Sequence, residues 1–232
     1  MKKSKNAIIL CSGGLDSVVT AYYIKKRLNY QNILILFFNY DQRALIQERK
    51  NAKKCAGNLN GQFHEIRLDM KATPLVNKTI KFKEMTRNQL KNTQKESDKF
   101  YVPFRNMVFI THALNFIDSL KNSEEVYNLF LGFKSEGKES YPDTTKEFVS
   151  KMNNLLKIYK YRGKILAPLI NKDKDEIISL GEKLGVSFKD TYSCHKGAKK
   201  HCGTCLACAL RKEAFYWANV SDPTQYPQKS LT

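Results

Sequence analysis

The residues best placed to do chemistry lie in two groups far apart in the chain. Near the N-terminus, Cys11-Ser12-Gly13-Gly14-Leu15-Asp16-Ser17-Val18 follows the apolar run Ile8-Ile9-Leu10 and opens another apolar-periodic segment, so it reads as strand, tight loop, helix. Two adjacent glycines let the backbone turn sharply and keep Cβ atoms away from a ligand. The amides of such a loop, with the positive end of the helix dipole behind them, suit phosphate or pyrophosphate, and Ser12 and Ser17 add hydroxyl donors. An ordinary strand-to-helix turn is the plainer alternative. Toward the C-terminus, Cys202, Cys205 and Cys208 stand at C-x-x-C-x-x-C spacing with Cys194 a short loop upstream, which can bring four thiolates round one ion. Zinc suits a late ribbon-like loop in which Gly203 supplies the turn, and a 4Fe–4S cluster is also compatible with four cysteines. His195 and His201 stand beside them as competing ligands, but four sulfurs leave no vacancy. Cys11 and Cys55 lie elsewhere and read as small buried residues.

Elements that could position these residues follow from periodicity. The first helix runs through Val18, Val19, Tyr22, Tyr23 and Ile24 and ends near Lys25 to Asn29, where cations and an asparagine suit a C-terminus. Asn32 to Phe38 is a continuous apolar run, the mark of a parallel strand covered on both faces, so the first three elements form a right-handed βαβ unit. Asn39-Tyr40-Asp41-Gln42-Arg43 then stands where open α/β sheets place ligand contacts. Arg43 either holds an anion there or merely starts the helix from Ala44 to Leu59. Phe63 to Leu68 alternates as an edge-ward strand with His64 on its surface. Residues 71–99 are polar and weakly periodic, a long loop or short helices.

Tyr101-Val102-Pro103-Phe104-Arg105-Asn106 leads into an apolar helix from Met107 to Leu120. A cation such as Arg105 at a helix N-terminus is poorly placed unless an anion binds beside it. A strand over Val126 to Gly132 precedes Ser140-Tyr141-Pro142-Asp143-Thr144-Thr145, and a helix from Lys146 to Leu156 follows. The apolar run Ile165 to Ile170 then gives way to Lys172, Lys174, Asp175 and Glu176 and a helix through Leu184, closed by Gly185. The fold class is α/β, an open parallel sheet with helices on both faces. No internal repeat appears.

With 232 residues, 42% of them hydrophobic, the chain suits one globular domain over 1–232 with a full core, carrying a metal-binding segment at 190–212. No apolar run is long enough to span a bilayer, and Met1 to Asn6 leads straight into a strand, so a cytoplasmic protein is expected. Six cysteines without a secretory signal argue for a metal site or thiols rather than disulfides. A net charge of +18 invites a nucleic-acid partner, but the excess is mostly lysine spread along the chain, with no arginine-rich or aromatic-interleaved patch.

The N-terminal loop has neither the Gly-Lys-Ser/Thr ending of the Walker loop nor G-x-G-x-x-G spacing. It resembles the S-G-G-x-D-S signature of the PP-loop ATP pyrophosphatases (adenine nucleotide alpha hydrolase-like), which include the synthetase domains of GMP synthetase and asparagine synthetase. That resemblance implies that Cys11, Ser12, Gly13, Gly14, Leu15, Asp16, Ser17 and Val18 bind ATP. In that family the loop holds the phosphates that leave as pyrophosphate when a substrate oxygen attacks the α-phosphorus. Pro168-Leu169, then Lys174-Asp175-Glu176-Ile177, is similar to a passage of GMP synthetase and implies a pyrophosphate-binding cation at Lys174, acting with Asp16. An exposed lysine in a charged first turn is the alternative.

Taken together, the loop, Phe38 to Arg43, Tyr101 to Asn106, Tyr141-Pro142-Asp143, Lys174 and the cysteine pattern resemble the 7-cyano-7-deazaguanine synthases over nearly the whole chain. The resemblance implies conversion of 7-carboxy-7-deazaguanine to the nitrile, in the route to queuosine, using ATP, Mg²⁺ and ammonia and carrying one structural Zn²⁺. It also implies a substrate wall of Tyr40, Gln42, Arg43, Arg105, Asn106, Tyr141 and Asp143, and no need of tRNA or membrane; a homodimer is compatible. The chain departs from the family where Ser-Gly-Tyr-Pro-Asp-Cys-Arg is usual: it has Glu139-Ser140-Tyr141-Pro142-Asp143-Thr144-Thr145, with Gly137 in place of an acidic residue. A repurposed relative that passes the activated acid to a protein or other acceptor, as in antiviral defence, is therefore the rival reading. A PP-loop tRNA-modifying enzyme is another. The nitrile chemistry needs no protein nucleophile, in keeping with the absence of an evident Ser-His-Asp or Cys-His set, and rests on positioning and electrostatics.

Overall fold

The computed structural model describes residues 6–70, 84–120, 125–134 and 141–227. Five parallel strands make one sheet in the order β3-β2-β1-β4-β5, with β1 at Asn6–Leu10, β2 at Asn32–Asn39, β3 at Gln62–Arg67, β4 at Tyr127–Leu131 and β5 at Ile165–Leu166. Seven successive residues of β2 are buried, because both faces of the sheet are covered.

Strand alternation divides the core in two. Ile9, Ile35, Phe37 and Phe130 point toward helices α1 (Leu15–Lys26), α2 (Leu45–Asn58), α6 (Lys174–Lys183) and α7 (Leu206–Trp217). Ile8, Leu34, Leu36, Leu129 and Leu131 point toward α4 (Arg105–Leu120) and α5 (Lys146–Ile158). Ile8 pairs with Leu34 on one side and Leu129 on the other, so each core layer is a row of like-facing side chains across the central strands.

Boundaries differ modestly from those read from periodicity. α4 starts at Arg105 rather than Met107, because Phe104 takes a left-handed φ of 59° that breaks the preceding chain. The apolar run at Ile165 contributes only two strand residues: Pro168 has no N–H for a ladder, and the chain turns with Ile170 N–H donating to Ala167 O at 3.2 Å. Part of the polar region read as a loop or short helices, 71–83, lies outside the described residues. Its remainder forms 3₁₀ turns at Arg87–Lys91 and Asp98–Phe100 around the short helix α3 (Gln94–Ser97). Likewise 135–140, which includes Gly137, lies outside them. α7 has no counterpart in the periodicity reading, which stops at the cysteines.

From β1 the next crossover runs to β2 on one side, whereas β4 lies on the other. The loops after β1 and β4 therefore part and leave a crevice at the C-terminal end of the sheet, where open α/β folds bind ligands.

Candidate active site and metal centre

The glycine loop occupies that crevice. Gly13 has φ +72°, and a Cβ there would run into Glu48 O and stand 2.8 Å from Ala52 N, so α2 rests directly on the loop. Gly14 has an ordinary φ of −74°, and a Cβ there would meet only the rotatable Ser12 hydroxyl at 3.1 Å. The two glycines are thus not equivalent. Gly13 O accepts the Tyr192 N–H at 2.9 Å, Ser17 Oγ donates to Gly14 O at 3.1 Å, and the Ser12 and Ser17 hydroxyls lie 3.4 Å apart. Leu15 and Val18 face the core, 2% and 3% exposed, and anchor the loop rather than line it.

Lys174 reaches the same loop from the far end of the sequence. It is the first residue of α6, whose N-terminus is closed by a capping box between Asp173 and Glu176. Its Nζ stands 3.4 Å from Asp16 Oδ2. Asp16 Oδ1 is buried and has no hydrogen-bond partner among the described residues. An unsatisfied buried carboxylate oxygen beside phosphate-seeking amides fits a divalent cation carried by a nucleotide.

A cavity of about 320 Å³ opens from the loop. Cys11, Ser12, Asp16 and Ser17 line it together with Tyr40, Gln42, Arg105, Asn106 and Tyr141. A second, of about 210 Å³, shares Tyr40, Gln42, Glu48 and Arg105 and extends to Arg43, Phe100 and His195. Of the residues expected on a substrate wall, Arg43 borders only the second cavity. Asp143 borders neither: it is buried, and its Oδ2 accepts the backbone N–H of Asn106 at 3.3 Å at the start of α4. Tyr141 donates to Ser97 O at 2.8 Å and stacks on Tyr101 at 5.0 Å. Arg105 Nε is buried without a hydrogen-bond partner among the described residues, a donor suited to an anion.

Glu48, Phe109 and Lys134 also line the larger cavity and were not expected there; Thr144, one of the residues that depart from the family pattern, lines it as well. Glu48 sits in a charged helical run with no local signal; only the packing of α2 on Gly13 turns it inward. Burial pushes its carboxyl above the usual range, against the opposing influence of the Gln42 hydrogen bond and Arg105.

At the other group, the Sγ atoms of Cys194, Cys202, Cys205 and Cys208 all lie within 4.8 Å of one another. The Cys202–Cys208 and Cys194–Cys205 pairs are 3.9 and 4.0 Å apart. A tetrahedron with metal–sulfur bonds of about 2.3 Å has edges of about 3.8 Å, so the four sulfurs fit one tetrahedral ion. In a cubane cluster each thiolate binds a different iron and the sulfurs stand farther apart. Backbone N–H groups of Cys202, Thr204 and Cys205 donate to Cys194 and Cys202 sulfurs, as thiolates require. By themselves the sulfurs are unequal: hydrogen bonds from Cys205 and Cys208 hold Cys194 far below the usual thiol range, the N–H groups of Thr204 and Cys205 lower Cys202 against its burial, and the hydrogen bond to Cys194 pushes Cys205 up to about 11. A dication would let all four ionise. His201 Nε2 instead accepts the Ser193 N–H at 3.0 Å. His195 packs on Phe100 at 3.9 Å, and burial pushes it down to about 4, so it is neutral at neutral pH.

Behind the cysteines, Arg211 is wholly buried. Its guanidinium donates to Thr191 Oγ1 at 2.8 Å, Phe188 O at 3.1 Å and Asp222 Oδ1 at 3.2 Å, tying α7 and the C-terminal segment to the chain that carries Cys194. Burial alone would raise the Asp222 carboxyl, but Arg211 and the Tyr226 and Thr224 hydrogen bonds hold it below its ordinary value. The contribution of Asp222 to stability is therefore full at neutral pH and is lost as pH falls through that lowered value. Arg211→Met, which leaves Asp222 buried without its cation, is expected to cost about 3–5 kcal/mol. Thermal unfolding would show this as a fall in Tm of about 10 °C.

A Ser-Gly-Gly loop at the switch point of a parallel α/β sheet, with a lysine from a later helix set on its acid, defines a PP-loop nucleotide-binding protein. The family model described as "Queuosine biosynthesis protein QueC" matches residues 6–219. Proteins named 7-cyano-7-deazaguanine synthase are similar over nearly their whole length. The one from Methanobrevibacter smithii is 33% identical, covering 96% of this chain and 98% of its own. The one from Methanococcus maripaludis is 34% identical, covering 95% and 98%. A solved structure of NMN synthetase from Francisella tularensis aligns with 94% of this chain and 85% of its own, at 15% identity and a TM-score of 0.40. The chain belongs to the QueC family of 7-cyano-7-deazaguanine synthases, a family of enzymes.

Proposed function

We propose that this chain is an ATP-dependent ligase of queuosine precursor synthesis, which adenylates the carboxylate of 7-carboxy-7-deazaguanine and, with ammonia, converts it to 7-cyano-7-deazaguanine. One juxtaposition carries the reading. Ser12, Asp16 and Ser17 of the glycine loop and Arg105, with its unpartnered buried Nε, line one cavity, and Lys174 stands behind the loop with its Nζ 3.4 Å from Asp16. One end suits a triphosphate and the other a carboxylate.

A carboxylate does not react with ammonia in water, so its oxygen must first become a leaving group. Arg105 holds the acid, whose oxygen attacks the α-phosphorus, while the loop amides, the Ser12 and Ser17 hydroxyls and Lys174 take the departing pyrophosphate. Asp16, with its unpartnered Oδ1, would hold a Mg²⁺ ion accompanying the nucleotide, which would supply charge to offset the phosphates. Ammonia then displaces AMP to give the amide. A second adenylation, on the amide oxygen, precedes loss of AMP to the nitrile. Cys194, Cys202, Cys205 and Cys208 would hold zinc in a structural role, because four protein thiolates would leave no position for substrate. Among the described residues no helix is long and apolar enough to cross a membrane.

Mass spectrometry of products from ATP, 7-carboxy-7-deazaguanine and ammonium tests the reading. Nitrile with two AMP and two pyrophosphate per product is the expected result; ADP and phosphate would overturn it. Arg105→Ala is expected to lower kcat/KM for the acid by an amount worth about 2–4 kcal/mol, with the KM for ATP little changed. A second reading, transfer of the activated acid to a macromolecular amine, is favoured by Thr144, which lines the cavity where the family usually has cysteine. It requires adenylate without nitrile and a deazapurine mass on a partner.

A further inference from the structure

The larger cavity has two carboxylates on its wall among the described residues, Asp16 and Glu48. Asp16 is engaged by Lys174. Glu48 has no such role, and in a cavity that takes a triphosphate and a carboxylate a second fixed anion only repels the ligands unless it does something else. Its position is tightly set. Its backbone lies against Gly13, and its Oε2 accepts from Gln42 Nε2 at 3.0 Å. Gln42 is held in turn, donating to Phe38 O at 3.1 Å and accepting the Tyr40 N–H at 3.0 Å. Charged and titratable groups face Glu48 from several elements: Arg105 from α4, Cys11 from the end of β1, Tyr40 and Arg43 from the segment after β2, and His195 across the smaller cavity.

Resting on the ligase reading above, we propose that Glu48 is the base that takes the protons shed by nitrogen in the two ammonia-derived steps. In the first, the ammonia nitrogen forms a bond to the acyl carbon, the bond from that carbon to the AMP oxygen breaks, and the proton lost by nitrogen passes to the Glu48 carboxylate. In the second, the amide oxygen attacks the α-phosphorus, pyrophosphate leaves, and one N–H proton passes to Glu48. The remaining N–H proton follows as the carbon–oxygen bond breaks, AMP departs and the nitrile forms. Glu48 returns each proton to water between steps. No oxidant or further reactant is needed. A carboxyl whose affinity for protons is increased by burial is better matched to this task at neutral pH than an exposed one. Glu48 also borders the smaller cavity, so a proton gained on one side has a second face from which to leave.

The test separates adenylation from nitrogen chemistry. Wild type, Glu48→Gln and Glu48→Asp are compared for acid-dependent exchange of labelled pyrophosphate into ATP, for nitrile formation with ammonium, and for thermal unfolding. Glu48→Gln is expected to keep exchange within about threefold of wild type and to slow nitrile formation by about 10²–10⁴-fold. Glu48→Asp, with the carboxylate kept but withdrawn, should fall between. In the wild type, the rate of the amide-to-nitrile step should have an acidic limb that Glu48→Gln lacks; if Glu48→Gln does not fold, that limb must still appear in the wild type and shift in Glu48→Asp. Nitrile synthesis at wild-type rate in Glu48→Gln, equal losses of exchange and nitrile, or a wild-type profile without the limb overturns the proposal alone. A wild-type protein that exchanges pyrophosphate but makes no nitrile overturns the ligase reading and this proposal with it.

Discussion

Gly13→Ala is expected to reduce acid-dependent ATP–pyrophosphate exchange by at least about 10²–10³-fold, the scale of losing placed donors to a developing anion. The added methyl would strike the backbone of α2 at Glu48 and Ala52, and a residue with a Cβ is strained at φ +72°. Neither neighbour can swing aside, because both are helix backbone, so the loop itself must shift and its amides lose their aim. Gly14→Ala provides the internal control. Its φ of −74° suits any residue, and its Cβ would meet a hydroxyl that can rotate, so a loss below about tenfold is expected. Equal losses in the two variants would mean that the loop does not bind phosphate through the Gly13 turn. Circular dichroism distinguishes loop damage from unfolding, since most of the core lies away from this contact.

Cys205→Ser is expected to abolish metal binding and to lower Tm by well over about 10 °C, because a closed thiolate site contributes its binding free energy to folding. Wild-type protein should carry one zinc per chain, measured by plasma mass spectrometry, and the variant essentially none. The loss spreads for a structural reason. Cys205 is the N-cap of α7 and Cys194 lies two residues after the Tyr192 whose N–H donates to Gly13 O, so an ion held there would join the last helix to the loop that follows β1. Exchange activity should therefore fall together with the metal, although no cysteine of this set lines the larger cavity. A metal-free variant that melts and turns over like wild type would remove the structural role.

The residues of this chain determine by local order what depends on neighbours in sequence. Ile8 to Ser17 specify strand, turn and helix; the six apolar residues from Ile33 specify a strand buried on both faces; C-x-x-C-x-x-C specifies sulfurs near one point. Each of these is a short-range preference, and each stands in the fold. Arg105 at a helix start was legible in the same way, as a cation where the dipole disfavours one.

Tertiary structure decided the rest, because the remaining distinctions are between residues of the same type whose neighbours come from far along the chain. Nothing in the sequence around Glu48, the one acid of α2, marks it for a ligand site; the close approach of α2 to a Cβ-free Gly13 turns it to the cavity. Asp143 reads as a substrate contact, yet the meeting of its 3₁₀ turn with α4 sets it to cap Asn106 instead. Arg211 looks like one more surface cation in a chain of net charge +18, and it is the partners Thr191, Phe188 and Asp222, converging from two segments, that make it buried and satisfied. Lys174 was distinguished only by likeness until α6 docked on α1 and brought its Nζ to 3.4 Å from Asp16, across 158 residues of chain. Charge and chemistry belong to the residue type, but whether a group meets solvent, a partner or a cavity is settled by long-range packing, which no local spacing encodes.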